Sequence, residues 1–301
     1  MAFRLGVSTG FAVNRFSEPE EWTQIVRDSG INYVQFTADM LNVALPKKIV
    51  AKQTDRIIQE CLDKGLKISS TFTGAFTRVN HLAHPDTEIR NYWINWFKLF
   101  ADLTVQLGSK VMGSHFGIYT MRDDRDPSIR RQRRTQNIKA WHQVAAYARD
   151  CGIEQILWEP MSISREQGET LIECRKLQDD VNLNSPLPFK ICLDVDHGDL
   201  SSQNPEDTNP YAWLRTFAKE APIIHIKQSS QNKGGHWPFT AEHNKNGRIQ
   251  PDLVIKELSD QGVTDAELVL ELSFREREPA DSSAPAALKE SADFWRPYIS
   301  K

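Results

Sequence analysis

The sequence predicts an α/β protein built as a single (β/α)8 barrel. Two observations carry that prediction: short apolar runs alternate with amphipathic segments, and there are eight such units. At 301 residues the chain exceeds the roughly 250 residues typical of one such barrel and offers no linker that would divide it. Residues 1–301 are therefore read as one domain.

The strand candidates are LGVSTGF (5–11), YVQFTA (33–38), KISSTFT (67–73), KVMGSHFG (110–117), EQILWEP (154–160), FKICLDVD (189–196), PIIHIKQS (222–229) and ELVLELSF (267–274). Each is rich in β-branched or aromatic residues and bounded by glycine or polar residues. Segments of helical periodicity lie between them. Ser17 and Glu20 have the spacing of a capping box, followed by the apolar face Trp22, Ile25 and Val26 and a stop at Gly30. Ile57, Ile58, Cys61 and Leu62 before Gly65 repeat that logic, as do Trp93, Phe97, Phe100 and Leu103 before Gly108, and Leu253, Val254 and Leu258 before Gly262. These stripes are core faces. Near-continuously apolar strands alternating with amphipathic helices indicate parallel strands joined by right-handed crossovers. An open doubly wound sheet is the competing fold, but STGFAVN after the first strand has neither GxGxxG nor a GxxxxGKS/T loop.

Hydrophobic residues make up 40% of the chain and charged residues 26%, with 8 Trp and 14 Phe, enough to build a large packed core. No apolar run approaches the roughly 20 residues that span a bilayer, and MAFRLGVSTGF lacks the layout of a signal peptide. The expectation is a cytoplasmic protein without a membrane partner. Cys61, Cys151, Cys174 and Cys192 form no CxxC pair, which fits reduced packing thiols. A net charge of −3 argues against nucleic acid as a partner, since such affinity is built on neutralising phosphates. The basic segment 122–134 reads as a solvated helix start, with Asp126 spaced to pair with Arg130.

Catalytic groups of a β/α barrel sit where strands end and the following loops begin. Glu159 follows ILW, Asp194 follows ICL, His225 follows PII and Glu271 follows LVL, so strands five to eight each end on a potential metal ligand. Three carboxylates converging without a cation would repel one another and resist desolvation; a divalent ion offsets both costs. Carboxylates with one imidazole suit Mn²⁺, Mg²⁺ or Co²⁺ better than a structural zinc site, although ligand type leaves Zn²⁺ open.

On these residues the chain resembles the xylose-isomerase-like TIM barrel superfamily, and within it the branch of D-tagatose, D-psicose and L-ribulose 3-epimerases. The branch has a Glu on strand five with a loop ending in Glu-Thr, similar to WEPMSISREQGET (158–170). It has Asp-x-x-His on strand six, matched by Asp194 and His197, then a His on strand seven and a Glu on strand eight, matched by His225 and Glu271. KQSSQNKGGHWPFT (227–240) and ELSFREREP (271–279) look most like the bacterial tetrulose-phosphate 3-epimerases. The resemblance implies one metal ion, Mn²⁺ foremost, held by Glu159, Asp194, His225 and Glu271, with His197 touching the substrate and a homo-oligomer, dimer or tetramer, as the assembly. One departure stands out. The branch grips its substrate with an Arg six residues after the strand-seven His, where this chain has Gln231.

Epimerising a ketose carbon needs two bases on opposite faces and a means of stabilising the enediolate between them. Glu159 and Glu271 are the candidates for the two bases, and the ion for the Lewis acid. Arg165, Lys227 and Lys233 are cations expected near the mouth to hold a substrate phosphate or carboxylate. His115 and Ser8 stand at strand ends and are expected to line the pocket, while Phe72, Trp237 and Phe239 are aromatic groups for excluding water or stacking on a sugar. The same chemistry would also serve aldose–ketose isomerisation or decarboxylation of a 3-oxo sugar acid. Nucleic-acid repair, known on this fold, would need further histidines and a basic face.

Overall fold

The computed structural model describes residues 2–230 and 233–299. Its strands are β1 (Ala2–Ser8), β2 (Tyr33–Thr37), β3 (Lys67–Phe72), β4 (Val111–His115), β5 (Gln155–Glu159), β6 (Phe189–Asp194), β7 (Ile223–Ile226), β8 (Gln228–Ser230), β9 (Lys233–Trp237) and β10 (Asp265–Leu270). Strands β1 to β7 and β10 close a barrel in chain order, with β10 pairing back onto β1. All the barrel pairs are parallel. These are the eight strands expected from the sequence. The antiparallel hairpin β8–β9 was not anticipated; it stands on the loop that leaves β7.

The register places the ligand candidates at one level, with His115 opposite Glu159 and Asp194 opposite His225. Glu271 extends the same ladder by donating its N–H to the carbonyl of Ile226 at 3.1 Å. Beneath that level the barrel is filled by Phe72, Leu157, Cys192, Ile223 and Val269. Gly113 is required there, because a Cβ at that position would lie 2.3 Å from the Phe72 ring. Phe72 in turn packs against the His225 ring, with centroids 5.5 Å apart and planes at 71°. Filling of the barrel interior thus props up one of the ligand candidates.

Helices cover the outside of the barrel, and the glycine stops recur. Gly65 closes helix Lys47–Lys64 at φ 65°, a left-handed conformation that glycine adopts without the Cβ penalty. Two local expectations are corrected. The first helix is Pro19–Asp28 with Glu18 at its N-cap and no side-chain cap bond, so Ser17 and Glu20 form no capping box. Proline favours the first helical position and starts the helix there, and the Glu20 carboxylate instead takes the Arg56 guanidinium at 2.9 Å. Asp126 is not the ion partner of Arg130. Its carboxylate caps helix Pro127–Cys151 through the N–H groups of Ser128 and Ile129, and Arg130 turns to Asp124 at 3.3 Å and Glu169 at 3.5 Å.

Candidate metal centre

Glu159, Asp194, His225 and Glu271 each bring one ligand atom to within 4.8 Å of those of the others. Glu159 and Asp194 end β5 and β6, His225 lies within β7, and Glu271 follows β10. His225 Nδ1 stands 3.2 Å from Glu159 Oε1 and 3.6 Å from Glu271 Oε2. Its other nitrogen, Nε2, is 2.8 Å from Gln35 Oε1. With Nε2–H donated to that oxygen, Nδ1 faces the carboxylates, the orientation usual for a metal-binding histidine. The donor set therefore fits a divalent ion.

Charge shapes the cluster. Burial opposes ionisation of Asp194, but His197 and Lys227 outweigh it and hold its carboxyl below the ordinary value. Burial would likewise raise Glu271, yet Lys227, His225 and His236 keep it well below the usual carboxylate range. Lys227 corrects an expectation. Rather than reaching for a substrate anion at the mouth, its side chain is fully buried. Its ammonium donates to Asp194 Oδ2 and, at 3.2 Å, to Glu271 Oε2. The physical reason is that converging carboxylates offer the buried ammonium the paired charge it needs.

A cavity of about 330 Å³ opens onto the cluster, lined in part by Ser8, Gln35, Phe72, His115, Glu159, His197 and Glu271. His197 directs Nδ1 to the Pro160 carbonyl at 2.9 Å. A carbonyl only accepts, so this nitrogen carries hydrogen, and Nε2 is left facing Asp194 Oδ2 at 3.5 Å. His115 is buried, its Nε2 donating to the Val79 carbonyl at 3.0 Å, and its pKa is lowered to about 4 chiefly by burial. The cations expected at the mouth are otherwise distributed. Arg165 does not line the cavity and donates to the Tyr119 carbonyl at 3.0 Å. The side chain of Lys233, and Gln231 altogether, lie outside the described residues. Trp237 stacks on His243 beside a neighbouring groove, and Phe239 is packed in the core against Phe294 and Trp295.

Four participants went unread in the sequence. Gln35 is a polar residue in the apolar run of β2, and that interruption was a usable signal. His236 comes from β9, with Nε2 3.3 Å from Glu271 Oε2. Arg15 and Arg78 line the cavity. The Arg15 side chain is 8% exposed and is anchored by Asp281 at 2.5 Å and the Phe274 carbonyl at 2.9 Å. Neither arginine stands in a strand run, and nothing local marks them.

With this barrel and this mouth, the chain belongs to the xylose isomerase-like TIM barrel family, whose model matches residues 23–298. Within it, the chain is 43% identical over 304 residues to the D-erythrulose 1-phosphate 3-epimerase of Brucella abortus (strain 2308), covering 99% of this chain and 97% of that one. Among solved structures, a protein from Rhodospirillum rubrum ATCC 11170 assigned provisionally as a xylose isomerase superposes with TM-score 0.89 at 24% identity, over 99% of this chain and 100% of the other. D-psicose 3-epimerase of Clostridium cellulolyticum H10, solved with D-tagatose, gives TM-score 0.72 at 15% identity over 99% and 100%. These last two likenesses are of fold. No helix among the described residues is long and apolar enough to cross a membrane.

Proposed function

We propose that the protein is a divalent-metal-dependent 3-epimerase of a short ketose phosphate, with a tetrulose 1-phosphate as substrate. The observation that carries this is the meeting of Asp194 and His225 with Glu159 and Glu271, the last two lining the cavity, in a chain 43% identical to a D-erythrulose 1-phosphate 3-epimerase. Asp194 and His225 hold the ion, and Glu159 and Glu271 hold it and also move the proton at C3. When bound, the ion supplies Lewis-acid stabilisation of the charge that develops as that proton leaves; the oxygen-rich donor set favours Mn²⁺.

Glu159 and Glu271 are assigned to opposite faces of C3, one taking the proton and the other returning one. His197, oriented by Pro160, offers Nε2 to a substrate hydroxyl. Arg15 and Arg78 receive the phosphate, and Lys233 is retained as a further candidate for it. His115 forms part of the wall. The assembly we infer is a dimer or tetramer in the cytoplasm.

The test is incubation of the Mn²⁺-loaded protein with D-erythrulose 1-phosphate in D₂O, followed by NMR. Deuterium should enter at C3, far more slowly with unphosphorylated erythrulose, and because C3 is the sole stereocentre the 3-epimer should appear as the enantiomer, read by loss of optical rotation or chiral separation. Absence of label at C3 overturns the assignment. With other substrates, release of CO₂ from a 3-oxo sugar acid, or an aldose formed from an unphosphorylated ketose, would instead mark one of the two related chemistries.

A further inference from the structure

Lys227 has no place in the proton transfer proposed above, yet its side chain is fully enclosed at the mouth. Its ammonium has three N–H donors and meets three potential acceptors: Asp194 Oδ2, Glu271 Oε2 at 3.2 Å and His236 Nε2 at 2.6 Å. Each comes from a different element: β6, the end of β10, and β9. Two of those acceptors belong to a second group able to hold a metal ion, formed by Asp194, His197 and His236. His197 Nε2 approaches the same Asp194 oxygen at 3.5 Å. The ammonium thus stands among the atoms that a second divalent ion would need.

Charge leads to the same place. Three clustered carboxylates exceed the charge of one divalent ion by one unit, which a buried ammonium supplies. A carboxylate offers about four lone-pair sites, so Asp194 and Glu271 can each serve the ammonium and the ion together. Asp194 Oδ1 is also fixed, accepting the Asp196 N–H at 2.7 Å.

We propose that Lys227 is the site's own second cation: its ammonium fills the Asp194–His197–His236 cradle, restricts the mouth to one divalent ion and holds Asp194 and Glu271 in ligand position. The inference rests on the metal centre proposed above, but not on the identity of the sugar. Lys227 is a positioning residue, acting through Asp194 and Glu271.

The experiment is metal counting on chelator-treated full-length protein, by equilibrium dialysis against Mn²⁺ and elemental analysis. The wild type should hold one ion per chain and stay at one up to millimolar Mn²⁺. Lys227→Met should hold two, and the second should vanish in Lys227→Met/His236→Ala. A wild type that binds two ions, the second lost in His236→Ala, overturns the proposal and needs no Lys227 variant to fold. So does a Lys227→Met protein that binds one ion with unchanged affinity. If the wild type binds none, the metal centre itself fails; if both proteins bind one, only the role of Lys227 does.

Discussion

Glu267 and Glu271 leave the same strand run four residues apart, and the barrel treats them oppositely. Glu267, 3% exposed, lies toward the opposite end of the barrel beside Gly6 and accepts from the Ser69 hydroxyl at 2.6 Å. Burial raises its pKa, with the Ser69 bond opposing. Glu271, whose side chain is 27% exposed to the cavity, is held well below the ordinary range because Lys227, His225 and His236 overcome the same desolvation. Burial alone pushes a carboxyl toward its neutral form; burial among cations favours the ionised form that can serve a metal or a proton. Position along a barrel strand thus separates stability from chemistry, the floor serving the first and the mouth the second.

The largest effect expected from this contrast is at Glu271. Glu271→Gln should lower turnover about 10²–10⁴-fold, the range for loss of a positioned acid–base group, with the circular dichroism spectrum unchanged. Unimpaired turnover would remove Glu271 from the mechanism.

His115 extends the contrast, since it stands at the mouth but is governed by burial, like Glu267. Its folded pKa of about 4 lies below the unfolded value of 6.5. The unfolded chain therefore binds a proton that the folded protein refuses, and stability should fall as pH drops through that window, by roughly 3 kcal/mol. Urea midpoints measured from pH 7 to 4 should show the decline, and His115→Gln should make it shallower. His81, buried against His115 and also lowered, would retain part of it.

Gly113→Ala probes the connection between interior and mouth. The new methyl would displace Phe72 and, through it, His225. Overpacking of this kind costs about 1–3 kcal/mol, and Mn²⁺ affinity should weaken in the same protein. A loss of stability with unchanged metal affinity would disconnect the two levels.

The smallest effect is expected from Glu267→Gln. A raised folded pKa means that the folded protein keeps a proton after the unfolded chain sheds it, so stability is lost as pH rises above 4.5 toward the folded value. The amide should flatten that decline while leaving turnover within a few-fold of wild type. A large loss of activity would break the division between floor and mouth.

What was legible in the sequence followed from local rules. A strand announces itself by short-range composition, and the polar residue that ends it is a neighbour in sequence, so Glu159, Asp194, His225 and Glu271 were readable one at a time. Lys227 was misread because whether a lysine is buried depends on Asp194 and Glu271, which come from other strands. His236 depends on a hairpin folding back over the mouth, and Arg15 on Asp281 and Phe274 more than 250 positions away. Ser17 and Arg130 show the converse: correct spacing for a cap or an ion pair loses to a proline at the helix start and to a carboxylate better used as an N-cap.

The most direct test of the central claim, that the four strand-end residues hold one divalent ion, is a calorimetric Mn²⁺ titration of the chelator-treated wild type beside Asp194→Asn, His225→Gln and Glu267→Gln. One ion per chain is expected in the wild type and in Glu267→Gln, with binding lost or weakened by 10-fold or more in the two mouth variants, the order of effect seen when a metal site is disturbed. Equal binding in all four proteins would contradict the account.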